Sequence, residues 1–288
     1  METSRHGTWE EAVRWLLEQP GQQQVVLDCY YDQPTRVASE RYARSAEWIA
    51  VRALLGALPP TAVDIGAGHG ITSAALASAG VSVVAVEPDP SDLVGRGAIV
   101  RLASELGVPI EARDGTAEAI PAPDGAFDLG LARQVLHHAR DLGAACREIF
   151  RVLRPGAPFL SIRDHVISAP ADLPVFQAAH PLHRLYGGEN AFREREYLDS
   201  LRSAGFVIER VIRPFDSVIN FAPHTPDTLR AAIVDLARRV PLGAAATAAL
   251  LRHDALFDAV RSLMSRVDRR PGRLISILCR KPGEASRG

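Results

Sequence analysis

Two kinds of apolar pattern alternate along this chain. Short runs that are apolar almost throughout are separated by longer segments in which apolar residues recur at helical spacing. Glu10 to Glu18 sets Val13, Leu16 and Leu17 beside Trp9, predicting a short amphipathic helix closed by Pro20-Gly21. Val25 to Tyr31 is too short to assign. Thr35 to Leu58, apolar at Val37, Trp48, Ile49, Val51, Leu54 and Leu55, reads as one longer helix stopped by Pro59-Pro60. The strand-like runs are Ala62 to Ile65, Val81 to Val86, Pro109 to Arg113, Phe127 to Ala132, Phe159 to Ile162, Val207 to Val211 and Arg273 to Cys279. Between them helices are expected over Thr72 to Ala79, from Ser91 as N-cap to Leu106, from Asp141 onward, and over Arg193 to Ala204. Residues 223–268 read as a further, largely helical segment. Strands without polar alternation, interleaved with helices, predict an α/β fold with a mostly parallel sheet covered on both faces.

The stretch around which this pattern turns is Val63-Asp64-Ile65-Gly66-Ala67-Gly68-His69-Gly70. A strand meets three glycines and then a helix, the arrangement that lets backbone turn sharply and approach a ligand closely. A dinucleotide turn spaces its glycines G-x-G-x-x-G and seats a pyrophosphate. Here the spacing is G-x-G-x-G, and Asp64 stands two residues before the first glycine. A carboxylate there repels a pyrophosphate and suits a ligand that ends in an ammonium group. Glu87, at the end of the second strand, lies about 20 residues past the turn, where an acid reaches a ribose diol.

The glycine turn resembles motif I of the class I S-adenosylmethionine-dependent methyltransferases. The resemblance continues through the run from Asp114 to Asp128 and through Arg151-Val152-Leu153-Arg154-Pro155-Gly156-Ala157-Pro158-Phe159, where Ala157 stands at a usual second glycine. It covers Ala62 to Arg163. It implies a Rossmann-like seven-stranded sheet with the last strand antiparallel, an amino-terminal helical lid over 1–58, a core over 59–221, a helical insertion over 222–272 and a final strand in 273–288. It also implies S-adenosylmethionine as cofactor, held by Asp64, Gly66, Ala67, Gly68, Gly70, Glu87, Pro88, Asp114, Gly115, Thr116 and Arg133, with Asp114 at the adenine amino group. His69, inside the turn, is expected to face cofactor or solvent.

Methyl transfer needs a base only when the acceptor arrives protonated. His137, His138 and His165 fall at strand ends and are the candidates. Tyr31, on the expected lid, and His180, His183 and Tyr186, in a polar loop after strand five, are the substrate-side candidates. No Cys/His metal spacing is present, so metal-free transfer to oxygen, nitrogen or carbon of a small organic acceptor is expected. Two rivals stand beside this reading: a methyltransferase-like partner protein that binds the cofactor without turnover, and an NAD(P)-dependent oxidoreductase, against which the glycine spacing and Asp64 argue.

Composition narrows the partners. The 288 residues carry a formal net charge of −1, with 47% hydrophobic and 23% charged residues. That balance offers no electrostatic footprint for nucleic acid or an anionic membrane. Three scattered cysteines and no long apolar stretch point to a reduced, cytoplasmic protein without disulfides or a membrane span. A second copy of the chain is the one macromolecular partner for which the insertion leaves room.

Overall fold

Every apolar run read as a strand forms one in the structure, a computed structural model that describes residues 7–180, 182–239 and 243–283, apart from the side chain of Arg184. The strands are β1 (Thr61–Ile65), β2 (Ser82–Val86), β3 (Ile110–Arg113), β4 (Gly130–Arg133), β5 (Pro158–Ile167), β6 (Phe192–Arg193), β7 (Val207–Ile212) and β8 (Arg273–Arg280). Their order across the sheet is β3-β2-β1-β4-β5-β8-β7, with β6 paired to the far end of β5 at Val166 and Ile167. The sheet thus has eight strands where seven were expected, the extra one being two residues long. Only β8 runs against its neighbours, wedged between β5 and β7. The chain departs from β1 toward β2 on one side and returns through β4 on the other, which opens a crevice at the carboxyl ends of β1 and β4.

The helices are α1 (Trp9–Glu18), α2 (Gln23–Asp28), α3 (Thr35–Ala43), α4 (Ala46–Leu55), α5 (Ile71–Ala77), α6 (Arg96–Leu106), α7 (Leu142–Val152), α8 (Leu173–Ala179), α9 (His183–Tyr186), α10 (Glu194–Ala204), α11 (Val218–Phe221), α12 (Pro226–Ala237), α13 (Gly243–Leu250) and α14 (Asp254–Val267). Two apolar clusters sandwich the sheet. Residues of α7 and α10, such as Ile149, Tyr197 and Leu201, pack on one face. Tyr42, Trp48, Val51 and Leu76, from α3 to α5, pack on the other.

Several local expectations change, each for a visible reason. The helix expected over Thr35 to Leu58 breaks at Arg44-Ser45, because the Ser45 hydroxyl caps the second half by accepting the Trp48 N–H. Residues 25–31, left unassigned, belong mostly to α2. The helix expected from Ser91 starts at Arg96. Ser91 does cap a turn, its hydroxyl accepting the Val94 N–H, but Gly95 is extended (φ −123°, ψ −154°) and the helix proper begins after it. The lid expected over 1–58 divides: α3 and α4 join the sheet core, whereas Ala12, Leu16 and Val26 cluster with Leu182 and Leu185 next to α9. Within 222–272 the described residues form α12 to α14, gathered around Phe221, Leu229, Leu251 and Phe257.

The most consequential departure lies inside β5, expected to end at Ile162 but continuing to Ile167. Its register against β8 shifts between Ser161 and Asp164, and Arg163 adopts a φ of 61°. Residues three apart on a regular strand face opposite sides. The bulge reverses that, so the Ser161 hydroxyl donates to the Asp164 carboxylate on one face while Arg163 reaches Glu47 on the other. Among the described residues no helix is long and apolar enough to cross a membrane, and Cys29, Cys146 and Cys279 are free thiols.

Candidate active site

Three loops at the carboxyl ends of β1, β2 and β4 surround a cavity of about 880 Å³. The glycine turn builds its floor. Gly66, Gly68 and Gly70 all have positive φ. At Gly66 a Cβ would lie 2.6 Å from Val135, in the loop after β4, so only glycine lets the turn close. At Gly68 a Cβ would meet nothing nearer than the Val94 carbonyl at 3.9 Å, which leaves the backbone bare toward the cavity. Gly66→Ala is expected to cost about 1–3 kcal/mol through overpacking. Val135→Ala in the same chain should recover part of it, and a double-mutant cycle by urea unfolding reads the coupling.

Two carboxylates flank the turn. Asp64 is 1% exposed and accepts a 2.6 Å hydrogen bond from the Ser73 hydroxyl. Burial outweighs that bond and raises its pKa to about 7. Glu87 accepts the Gly68 N–H at one oxygen (2.8 Å) and the Asp89 N–H at the other (2.9 Å). A second lone pair on each oxygen stays available, so the carboxylate is held rigid and can still accept from a diol. Bare backbone, a buried acid and a fixed acid within one cavity fit a nucleoside that carries an amino-acid tail.

The opposite wall is a set of imidazoles around one carboxylate. His137 holds Asp164 through Nδ1 (2.9 Å) and through its backbone N–H (3.1 Å). Its Nε2 lies 3.6 Å from Glu189, and these two acids overcome burial to raise its pKa to about 9. Glu189 in turn is lowered to about 2, despite burial, by His137, His180 and His138. Burial pushes His138 down to about 4 and His165 to about 3, and His69 to about 4. His138 Nδ1 donates to the Gly188 carbonyl and His165 Nδ1 to that of Gly272, since a carbonyl only accepts. Over the cavity Trp9 stacks edge-on against Tyr31 and Tyr186, at centroid distances of 5.7 and 4.7 Å, which ties α1 to α9.

Comparison with known proteins agrees with this geometry. Residues 63–161 match the family described as "Methyltransferase domain". Over these residues the chain is similar to a methyltransferase domain. The chain is 37% identical, over 101 residues, to a "Ubiquinone biosynthesis O-methyltransferase" from Methylobacterium sp. strain 4-46, covering 35% of the chain and 39% of that protein. A protein of the same name from Paramagnetospirillum magneticum is 30% identical over 156 residues, covering 52% of the chain and 61% of the relative. The chain therefore matches less than two thirds of the length of either relative. A solved geranyl diphosphate methyltransferase in complex with SAM superposes with a TM-score of 0.58 at 17% identity, over 97% of this chain and 98% of that one, a likeness of fold.

Of the residues expected from sequence, Asp64, Gly66, Ala67, Gly68, Glu87, Pro88, Thr116, Arg133, His137, His138, His165, Tyr31, His180 and Tyr186 all line the cavity. Asp114, Gly115, Gly70 and His183 do not. Asp114 is 75% exposed at its side chain and pairs with Arg96, whose guanidinium also holds the carbonyls of Glu87 and Pro88. Thr116 and Glu118, not Asp114, are the polar residues that the segment after β3 presents to the cavity. Gly115 packs against Pro121, and Gly70 against Ile99 as it starts α5. His69 is buried and lines the cavity, with Nε2 2.9 Å from the Tyr30 carbonyl, so it fastens the glycine turn to the amino-terminal cover. Arg133 lies against Glu47 (2.7 Å), a partner that the sequence hid inside an apolar helix. Asp164 and Glu189 were also missed. The bulge that aims Asp164 inward has no signal in sequence, while Glu189, an acid in a polar loop next to two glycines, gave only composition to go on.

Proposed function

We propose that this protein transfers a methyl group from S-adenosylmethionine to oxygen, nitrogen or carbon of a small organic acceptor. The observation that carries the proposal is the continuity of the cavity: Asp64, Gly68 and Glu87 bound one end and His138, His165 and Tyr186 bound the other. The cofactor supplies, when bound, an electrophilic methyl group on a positively charged sulfur. Glu87 accepts the ribose hydroxyls, Asp64 faces the ammonium of the amino-acid tail, and Thr116 stands beside the base. Gly68 gives the tail bare backbone. His138, fixed by its Nδ1–H bond to Gly188, presents Nε2 to an acceptor hydroxyl or amine and orients it for in-line attack. Trp9, Tyr31 and Tyr186 close the space and exclude water. The relatives named for ubiquinone biosynthesis O-methylation favour oxygen among the acceptor atoms.

The test is calorimetric titration with S-adenosylmethionine and S-adenosylhomocysteine, with NADH as control. It is followed by a screen of phenols, amines and carboxylic acids for release of S-adenosylhomocysteine. Micromolar binding of both adenosyl ligands with no NADH binding supports the reading. Absence of adenosyl binding ends it, and binding without turnover on any acceptor favours the partner-protein alternative.

Asp64 makes the affinity pH-dependent. With a pKa near 7 in the free protein, the ionised form that faces an ammonium must be drawn from a protonated majority at lower pH. Affinity should rise toward tenfold per unit between pH 5 and 6 and level off above 7. Asp64→Asn should flatten the profile. Stability runs the other way: the raised pKa is a stabilising contribution present below the unfolded value of 3.8 and lost as pH climbs through 7.

A further inference from the structure

Three buried donors on the far wall of the cavity converge without any direct hydrogen bond among them. His137, His165 and Glu189 each offer one ligating atom, and those atoms lie within 4.8 Å of one another. Their orientations are set from outside. His137 gives its Nδ1–H to Asp164, which leaves Nε2 as the nitrogen that faces Glu189 and that an ion would take in place of a proton. His165 gives its Nδ1–H to the Gly272 carbonyl, which leaves its own Nε2 with a lone pair. The Glu189 oxygen Oε1 accepts the Tyr186 hydroxyl at 3.2 Å, and Oε2 faces both His137 and His138.

The spacing is informative. From His137 Nε2 to Glu189 Oε2 is 3.6 Å, too long for a good hydrogen bond. Two ligand atoms at about 2.1 Å from a shared tetrahedral ion stand about 3.4 Å apart. Imidazoles that donate one N–H to a carboxylate or a carbonyl, and turn the other nitrogen inward, are the usual support of metal-binding histidines. An independent sign comes from His180. Its Nδ1 is buried with no hydrogen-bond partner and sits 3.9 Å from Glu189 Oε1, a further nitrogen in want of a ligand.

We propose that His137 Nε2, His165 Nε2 and Glu189 Oε2 bind a divalent transition-metal ion, with a position left open toward the cavity. Two imidazoles and one carboxylate suit zinc or iron(II) better than magnesium or calcium, which prefer oxygen donors throughout. His180 Nδ1, 3.9 Å from Glu189 Oε1, is a further nitrogen beside the same carboxylate. An ion here stands at the end of the cavity opposite the glycine turn, where it would hold a deprotonated oxygen of a bound acceptor. This departs from the metal-free transfer expected from sequence; binding of the ion stands apart from the methyl-transfer reading, and only its role toward an acceptor rests on that reading.

The experiment uses untagged full-length protein, stripped with chelator and titrated with cobalt(II) chloride in the absence of cofactor and acceptor. The readout is the visible absorption of the bound ion, with zinc competition as a second measurement. The expected result is a saturable band at one ion per chain that zinc abolishes. His165→Ala and Glu189→Gln should each lose the band or weaken binding at least tenfold. S-adenosylhomocysteine titration and thermal unfolding show whether those variants remain folded. Absence of a saturable band in the parent protein overturns the proposal, because the seat then holds only the His137 proton shared between Asp164 and Glu189. Undiminished affinity in both folded variants overturns it as well. Should either variant unfold, His137→Gln carries the same comparison, and equal binding in every folded variant of the three ligands counts against the site.

Discussion

Replacing Glu47 with alanine is expected to lower the free energy of unfolding by about 3–5 kcal/mol. Glu47 is 2% exposed and faces two guanidinium groups, Arg133 at 2.7 Å and Arg163 at 3.6 Å. Arg163 is held in addition by the carbonyls of Ile219 and Ala222, and Arg133 lies over the rings of Tyr30 and Tyr42. Both cations are largely buried, so the variant keeps two guanidinium groups without their carboxylate partner. Urea unfolding followed by circular dichroism measures the loss, and a change below about 1 kcal/mol would show that the pair is not structural. Burial raises the Glu47 pKa, but the two arginines and the Tyr42 hydroxyl outweigh it and hold the group below its ordinary value of 4.5. A depressed carboxylate contributes stability above that range and loses it as pH falls through the folded pKa. The parent protein should therefore lose stability on acidification below pH 4.5 more steeply than Glu47→Ala.

Glu87→Ala should weaken binding of S-adenosylmethionine and S-adenosylhomocysteine alike by about 100-fold. Two hydrogen bonds from a diol to a carboxylate, at about 1.5 kcal/mol each, account for that factor. The equality of the two ligands is the sharper part of the prediction, because both carry the ribose and only one carries the methyl group. The same carboxylate holds the N–H groups of Gly68 and Asp89. Calorimetric titration therefore belongs beside Glu87→Gln, which keeps an oxygen acceptor for one of them and should lose less. Unchanged affinity in Glu87→Ala would place the ribose elsewhere in the cavity.

Much of the cofactor end was readable in the chain because its determinants are local. A glycine with φ of 61° beside a buried aspartate follows from a strand that must turn at once into a helix, and all the participants lie within eight residues of sequence. Glu87 is readable for a related reason, since a parallel strand next to β1 must end level with it. Asp114 shows the limit of such reasoning. Its place after β3 was right, yet Arg96, from a helix that begins four residues later than its Ser91 cap suggested, turns it outward.

The acceptor end was less legible because its side chains come from distant segments. His137 and His138 follow β4, His165 sits beyond a bulge in β5, and His180 and Glu189 belong to the loop after it. No spacing in sequence states that Asp164 faces His137, since a regular strand would have turned it away from Ser161.

The sequence alone determined the alternation of buried strands and helices, the place of the glycine turn and the acids that flank it. Those features rest on hydrophobic period and backbone conformation, which neighbouring residues dictate. The tertiary structure decided which histidines meet, that Glu189 and Asp164 bracket His137, and that Glu47 lies between two arginines. Those are electrostatic arrangements among residues as far as 116 positions apart, from Glu47 to Arg163, and only the packing of the whole sheet brings them within bonding distance.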